Sequence, residues 1–262
     1  MSNNAPLAAF PLWALFIITI VAIVLTQECG YRLGRMRGRR ANQESHTSVG
    51  VMVGAQLSLL AFLLTFTYGI AASRFDTRRQ VLLDEANAIG TAYLRAATLP
   101  EPQRAEVRRL LREYVDVRIT AAQRDSVEQA IRRSEDLLGQ LWTEAVAAAE
   151  QDPRSVPVGL FVQALNEVID LHTKRVTAGL RSRIPAPVWA ALCAVVILAF
   201  VAMGYHSGLT KTSRSPAVLM VVLTFAVVVW LVADLDRPGQ GLLRESQQLM
   251  IDLRDTMEAS TR

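Results

Sequence analysis

Four long stretches of this chain carry no charged side chain: 1–27, 45–73, 184–210 and 215–233. Each can supply the ~20 apolar residues that cross a hydrocarbon core ~30 Å thick. Membrane spans are therefore expected near 9–27, 48–71, 187–206 and 216–233. Trp13, Tyr68, Trp189, Tyr205 and Trp230 fall near the span ends, where amphipathic rings favour the headgroup region. The 262 residues are 51% hydrophobic, but that excess sits in the four blocks, and the segment between the second and third reads as ordinary soluble helix. The pattern is that of an all-α protein: four transmembrane helices with an extramembrane antiparallel helical bundle inserted between spans 2 and 3.

The expected divisions are 1–73 for the first two spans and their basic connecting loop, 74–185 for the bundle, 186–235 for the last two spans, and 236–262 for a C-terminal tail with an amphipathic helix. No Lys or Arg precedes Phe10, and no small-residue cleavage site precedes Gly30, so the first block reads as a retained span rather than a signal peptide. Cys29 and Cys193 are the only cysteines; the second lies mid-span, which argues against a disulfide between them. Arg32, Arg35, Arg37, Arg39 and Arg40 follow the first span, while no basic residue precedes it. Basic clusters are retained in the cytoplasm. The N-terminus, bundle and C-terminal tail would then be extracytoplasmic.

Proline and capping signals divide the bundle. "LPEP" at 99–102, "RDS" at 124–126 and "DPRSVP" at 152–157 predict breaks, leaving helices over 74–98, 103–123, 127–151 and 157–184. Each carries one apolar stripe at intervals of three and four. These are Leu82, Ala86, Ile89, Tyr93 and Ala96; Val107, Leu110, Leu111, Tyr114 and Val117; Val127, Ile131, Leu138 and Leu141; and Val158, Phe161, Leu165, Val168, Ile169 and Val176. A single stripe must bury against another, and closure into a bundle does that. Residues 48–97 contain no proline, so the second span and the first bundle helix are expected to form one rod ~75 Å long. Pro185 and Pro187 should interrupt the last bundle helix before the third span.

The segments "FLLTFTYGIAASRFDTRRQVLLDEANAIGTAYLRAATLP", "RRLLREYVDVR" and the late "LDRPGQGLL" with "IDLRDTM" resemble a bacterial family of integral membrane proteins called bestrophin-like. The likeness covers about three quarters of the chain. It implies kinship to pentameric anion channels and, by analogy with bestrophins, a cytosolic bundle, opposite to the charge reading. It also singles out Asp84, Glu85, Asn87, Asp236, Arg237 and Pro238 as family-motif residues, and, by positional analogy, Phe62 and Phe66 as a candidate pore constriction, the alternative being that both face lipid. Many members have Phe after that proline, where this chain has Gly239.

Little else points to chemistry. His46, His172 and His206 are scattered, with no ligand spacing. Asp84 and Glu85 point about 100° apart on a helix, which makes a metal pair from them alone implausible. No nucleophile elbow, phosphate loop or zinc-protease pattern is present, so the chain is not expected to be an enzyme or to carry a cofactor or metal. Charges over 74–185 nearly cancel, 17 basic against 16 acidic, and imply no nucleic-acid partner. Gly50, Gly54 and Ser58 place a small residue at every fourth position of the second span, a face for close helix packing within the chain or between subunits. Gly30, Gly34 and Gly38 read as part of the basic loop. The partners expected are the lipid bilayer and further copies of the chain in a homo-oligomer, with any anion or small ligand unspecified. Two functions fit: an oligomeric bestrophin-like channel or permeation protein, or a membrane-anchored signalling or scaffolding protein whose bundle binds a ligand or partner.

Overall fold

The structure is a computed structural model that describes residues 11–37, 44–121, 127–180, 183–210, 216–237, 241–243 and 246–260. Among these residues all regular structure is helical. The elements are α1 (Leu12–Arg37), α2 (Glu44–Ala96), α3 (Gln103–Ala121), α4 (Val127–Gln151), α5 (Val156–Leu180), α6 (Ala186–Leu209), α7 (Pro216–Leu235) and α8 (Gln248–Ala259). Four stretches, Leu12–Arg37, Ser48–Ala96, Ala186–Leu209 and Val218–Leu235, are long and apolar enough to cross a membrane. In the second of these the charge-free part ends at Ser73; beyond Arg74 the surface turns polar. The protein is an integral membrane protein. By internal contacts it divides into two compact units, Met1–Phe75 with Arg183–Leu243, and Asp76–Ser182 with Arg244–Arg262.

In the first unit Leu15 and Ile23 of α1, Leu60 and Leu64 of α2, Leu192, Val196 and Phe200 of α6, and Val222 and Val232 of α7 share one apolar core. Edge-to-face pairs add to it, Phe200 with Phe225 at 5.6 Å and Phe16 with Trp230 at 6.3 Å between ring centroids. The closest packing is between α1 and α6. A Cβ built on Gly30 would lie 2.1 Å from the Val201 carbonyl oxygen, and one on Gly34 2.1 Å from that of Tyr205. From the other side, a Cβ on Gly204 would meet the Gln27 oxygen at 2.1 Å, and one on Gly208 the Tyr31 oxygen at 2.3 Å. Residue numbers rise together along both helices, so α1 and α6 run parallel with backbones touching through four glycines. The expected basic loop is thus corrected: α1 continues to Arg37 and carries Gly30 and Gly34 as packing residues. Gly38 lies outside the described residues.

In the second unit the predicted stripes close on one another. Ile89 and Tyr93 of α2, Leu110, Leu111 and Tyr114 of α3, Leu138 and Leu141 of α4, and Phe161, Leu165 and Val168 of α5 form its core, which α8 completes with Met250 and Met257. The Tyr93 hydroxyl donates to the Met257 carbonyl at 3.0 Å, fixing the end of α8. One stripe member departs: Val127 is exposed, because α4 buries Ser134, Leu137, Leu138, Leu141, Ala145 and Ala148 instead. The interruption expected at Pro185 and Pro187 is present. α5 ends at Leu180, and α6 begins at Ala186 with Pro187 in its first turn, where a missing N–H costs nothing. α2 runs unbroken through 53 residues, since nothing in it removes a backbone donor.

Candidate functional site

Three places gather the residues singled out by the sequence. The first is the outward face of α2. Phe62 and Phe66 are more than half exposed and touch one helical turn apart, their rings tilted by 55° with 4.7 Å between centroids. Ser58, Thr65, Gly69 and Ser73 continue that exposed face at intervals of three and four. The Ser58 and Thr65 hydroxyls donate to the Gly54 and Ala61 carbonyls, both at 2.9 Å, so neither carries an unsatisfied proton. A groove of about 480 Å³ follows, lined by Thr65, Phe66, Gly69, Ile70, Ser73 and Arg74. Of the small-residue face, Gly50 would bring a Cβ within 3.1 Å of the His206 ring, whereas one on Gly54 meets nothing within 4 Å. Within the chain, the close approach is made by the α1 and α6 glycines instead.

The second place is buried in the helical unit. Glu85 has no solvent exposure. It accepts from the Tyr114 hydroxyl at 2.9 Å, pairs with the Arg118 guanidinium at 3.2 Å, and accepts a hydrogen bond from Arg175. Burial alone would push the Glu85 carboxyl up, but the fields of Arg175 and Arg118 outweigh it and hold the pKa below the usual carboxylate value. Burial also raises the Tyr114 phenol and lowers Arg175, the latter helped by the neighbouring Arg118. Tyr114 gives its single proton to Glu85, so the 3.1 Å contact with His172 requires that His172 Nδ1 carry a proton and donate. Burial, then the Arg118 charge, push His172 down to about 4, keeping the ring neutral near pH 7. The cluster therefore holds two cations and one anion. It ties α2, α3 and α5 together, and Arg175 Nη2 extends it to Gln247, 3.4 Å away, at the start of α8.

Of its neighbours in the motif, Asp84 is half-buried and accepts from Gln80 at 2.9 Å, and Asn87 is exposed. The sequence placed all three in one group; one helical face buries only Glu85. Its signal was the spacing to Leu82 and Ile89, three back and four ahead on the apolar stripe. Arg118, the last residue of the family-like "RRLLREYVDVR" segment, and Arg175, which lies outside the quoted segments, pair with Glu85 from α3 and α5.

The third place follows α7. Asp234, Asp236 and Arg237 are all buried. Asp234 accepts backbone N–H groups of Leu242 and Leu243 at 2.9 and 3.1 Å, closing a loop over the helix end. A Cβ on Gly241 would lie 2.3 Å from the Asp234 carboxylate, so only glycine permits that approach. Asp236 accepts from the Ile184 N–H at 2.8 Å and from the Trp189 side chain, joining α7 to the entry of α6. Pro238 and Gly239 lie outside the described residues. Among the described residues no group of three or more His, Cys, Asp or Glu side chains could hold a metal.

Comparison with known proteins agrees with this architecture. Residues 20–247 match the family described as the Bestrophin-like domain. Among solved structures, the chain is similar to a bacterial bestrophin homologue from Klebsiella pneumoniae, with 14% identity over 94% of this chain and 97% of that one, at a TM-score of 0.66. A point-substituted form of the Klebsiella pneumoniae homologue matches at 13% identity, 95% and 98% coverage and a TM-score of 0.66. A structure described as a membrane protein with one substitution matches at 15% identity, 95% and 96% coverage and 0.65. At such identities the likeness carries the fold. No curated protein matches.

Proposed function

The chain belongs to the Bestrophin-like family, and on that premise we propose that it is one subunit of a homo-oligomeric membrane channel whose path is lined by the outward face of α2. The observation that supports this most is the pattern on that face: an aromatic pair, Phe62 and Phe66, set among Ser58, Thr65, Gly69 and Ser73 and left uncovered within the chain. Hydrophobic constrictions flanked by smaller residues gate pores by excluding water. Phe62 and Phe66 are the proposed constriction. Gly54, open on the same helix, is proposed to meet a neighbouring subunit.

The test is ion flux through the purified protein in liposomes, with chloride and sodium measured separately and subunit number read by native mass spectrometry. Phe62→Ala and Phe66→Ala should each raise flux by about threefold or more, as wider constrictions do. A monomeric protein with no flux of either ion would end this reading and favour a scaffolding role.

Orientation is proposed from charge: the arginines that end α1, Arg32, Arg35 and Arg37, with Arg39 and Arg40 after them in sequence, in the cytoplasm, and hence the N-terminus and the bundle outside, in a bacterial inner membrane. Single cysteines at Ser2, Asn42 and Gln151, in a background lacking Cys29 and Cys193, should react with an impermeant reagent in intact cells at the first and last positions only. Labelling at Asn42 alone reverses the assignment.

A further inference from the structure

The carboxylates near the end of α7 lie in the fields of three guanidiniums. Arg74 and Arg183 both lie within the electrostatic reach of Asp236, and Arg237 interacts with Arg183, Asp234 and Asp236. The two acids are already engaged. Asp234 is committed to the Leu242 and Leu243 amides, and Asp236 to the Ile184 amide and Trp189. Little of either carboxylate is thus left to accept from Arg74 and Arg183.

Two of the cations show the shortfall directly. Arg74 Nη1 and Arg183 Nε are buried and find no hydrogen-bond acceptor among the described residues. A buried charged N–H without an acceptor calls for a group from outside the chain. The entry of α6 adds to the demand: its N-cap, Pro185, makes no side-chain cap, and Ile184, which donates to Asp236, places this positive helix end beside the cluster. Planar guanidiniums match the oxygens of a phosphate better than a point charge does. Basic pockets between membrane helices near the headgroup level take phosphate-bearing headgroups on the same grounds.

We propose that Arg74 and Arg183, with Arg237 beside them, form a binding site for a phosphate group, carried by an anionic phospholipid headgroup or free in solution. The site bridges α2, the entry of α6 and the end of α7. Occupancy would satisfy both orphaned N–H groups.

The experiment is thermal unfolding of the full-length protein in detergent, titrated separately with phosphatidylglycerol, phosphatidylcholine and inorganic phosphate. Phosphatidylglycerol should raise the midpoint by about 5 °C at saturation, since a ligand that binds only the folded state stabilises it. Phosphatidylcholine, whose ammonium offsets its own phosphate, should give less. Arg74→Gln and Arg183→Gln should each lose most of the shift, whereas Arg32→Gln, at a side chain 76% exposed and paired with Glu28, should keep it. A response to inorganic phosphate alone would assign the site to the free ion; a response to phosphatidylglycerol alone, to lipid. No response to either, or an equal shift in wild type and both variants, overturns the proposal. Should the variants fail to fold, native mass spectrometry of the wild type decides: equal retention of the two lipids with no response to inorganic phosphate overturns it.

Discussion

Glu85→Gln is expected to lower stability by about 3–5 kcal/mol, the usual cost of removing one partner from a buried ion pair. Glutamine keeps the shape and an acceptor for Tyr114, but leaves Arg118 and Arg175 facing each other without a counter-charge. Both guanidiniums lie in surroundings where charge is poorly screened, with side-chain exposures of 6% and 19%. The thermal midpoint of the full-length protein in detergent should fall by about 10 °C. Glu128→Gln is the control, since its carboxylate is 88% exposed, and it should leave the midpoint where it was. A triple change, Glu85→Leu with Arg118→Met and Arg175→Met, should recover much of the loss, because apolar replacement of a whole buried cluster removes the desolvation cost along with the attraction. If Glu85→Gln melts with the wild type, the cluster is solvated in solution and does not hold α2, α3 and α5 together.

The second large effect concerns the glycine contact between α1 and α6. Gly30→Val and Gly204→Val are each expected to cost about 3 kcal/mol, at or above the upper end of ordinary overpacking, because the obstacle is backbone and cannot rotate away. Even alanine at these positions would place its Cβ against a carbonyl oxygen at 2.1 Å. The loss should appear as a lower melting point and reduced folded yield from membranes. Gly54→Leu provides the contrast. A Cβ there meets nothing within the chain, so any loss of assembly with an unchanged subunit melt would report a contact between subunits. Equal melting of Gly30→Val and Gly54→Leu would contradict the close approach.

The spans and helices were legible in the residues themselves. Charge-free blocks of membrane length and apolar stripes at helical spacing depend only on the local chain, and α4 begins and ends at the predicted residues 127 and 151. The absence of proline over 48–97 likewise foretold the unbroken α2. What the local pattern lacks is the rotational phase of one helix against another. The residues Asp84, Glu85 and Asn87 are adjacent in sequence, yet a helical step of about 100° sends one of them into the core and leaves the others near water.

Which cations would meet Glu85 depended on helices packed from positions 33 and 90 residues away. The same holds for the glycines. Gly50, Gly54 and Ser58 form the more regular small-residue motif, but close packing needs small residues facing each other on both helices, and Gly30 and Gly34 find them in Gly204 and Gly208. The sequence by itself determined that the chain crosses a membrane as helices and carries a helical bundle, because hydrophobic length and periodicity are properties of single segments. Only the tertiary structure decided which charges are buried, which carboxylate closes the loop after α7 and which glycines touch, because each of these is set by the register between segments distant in the chain.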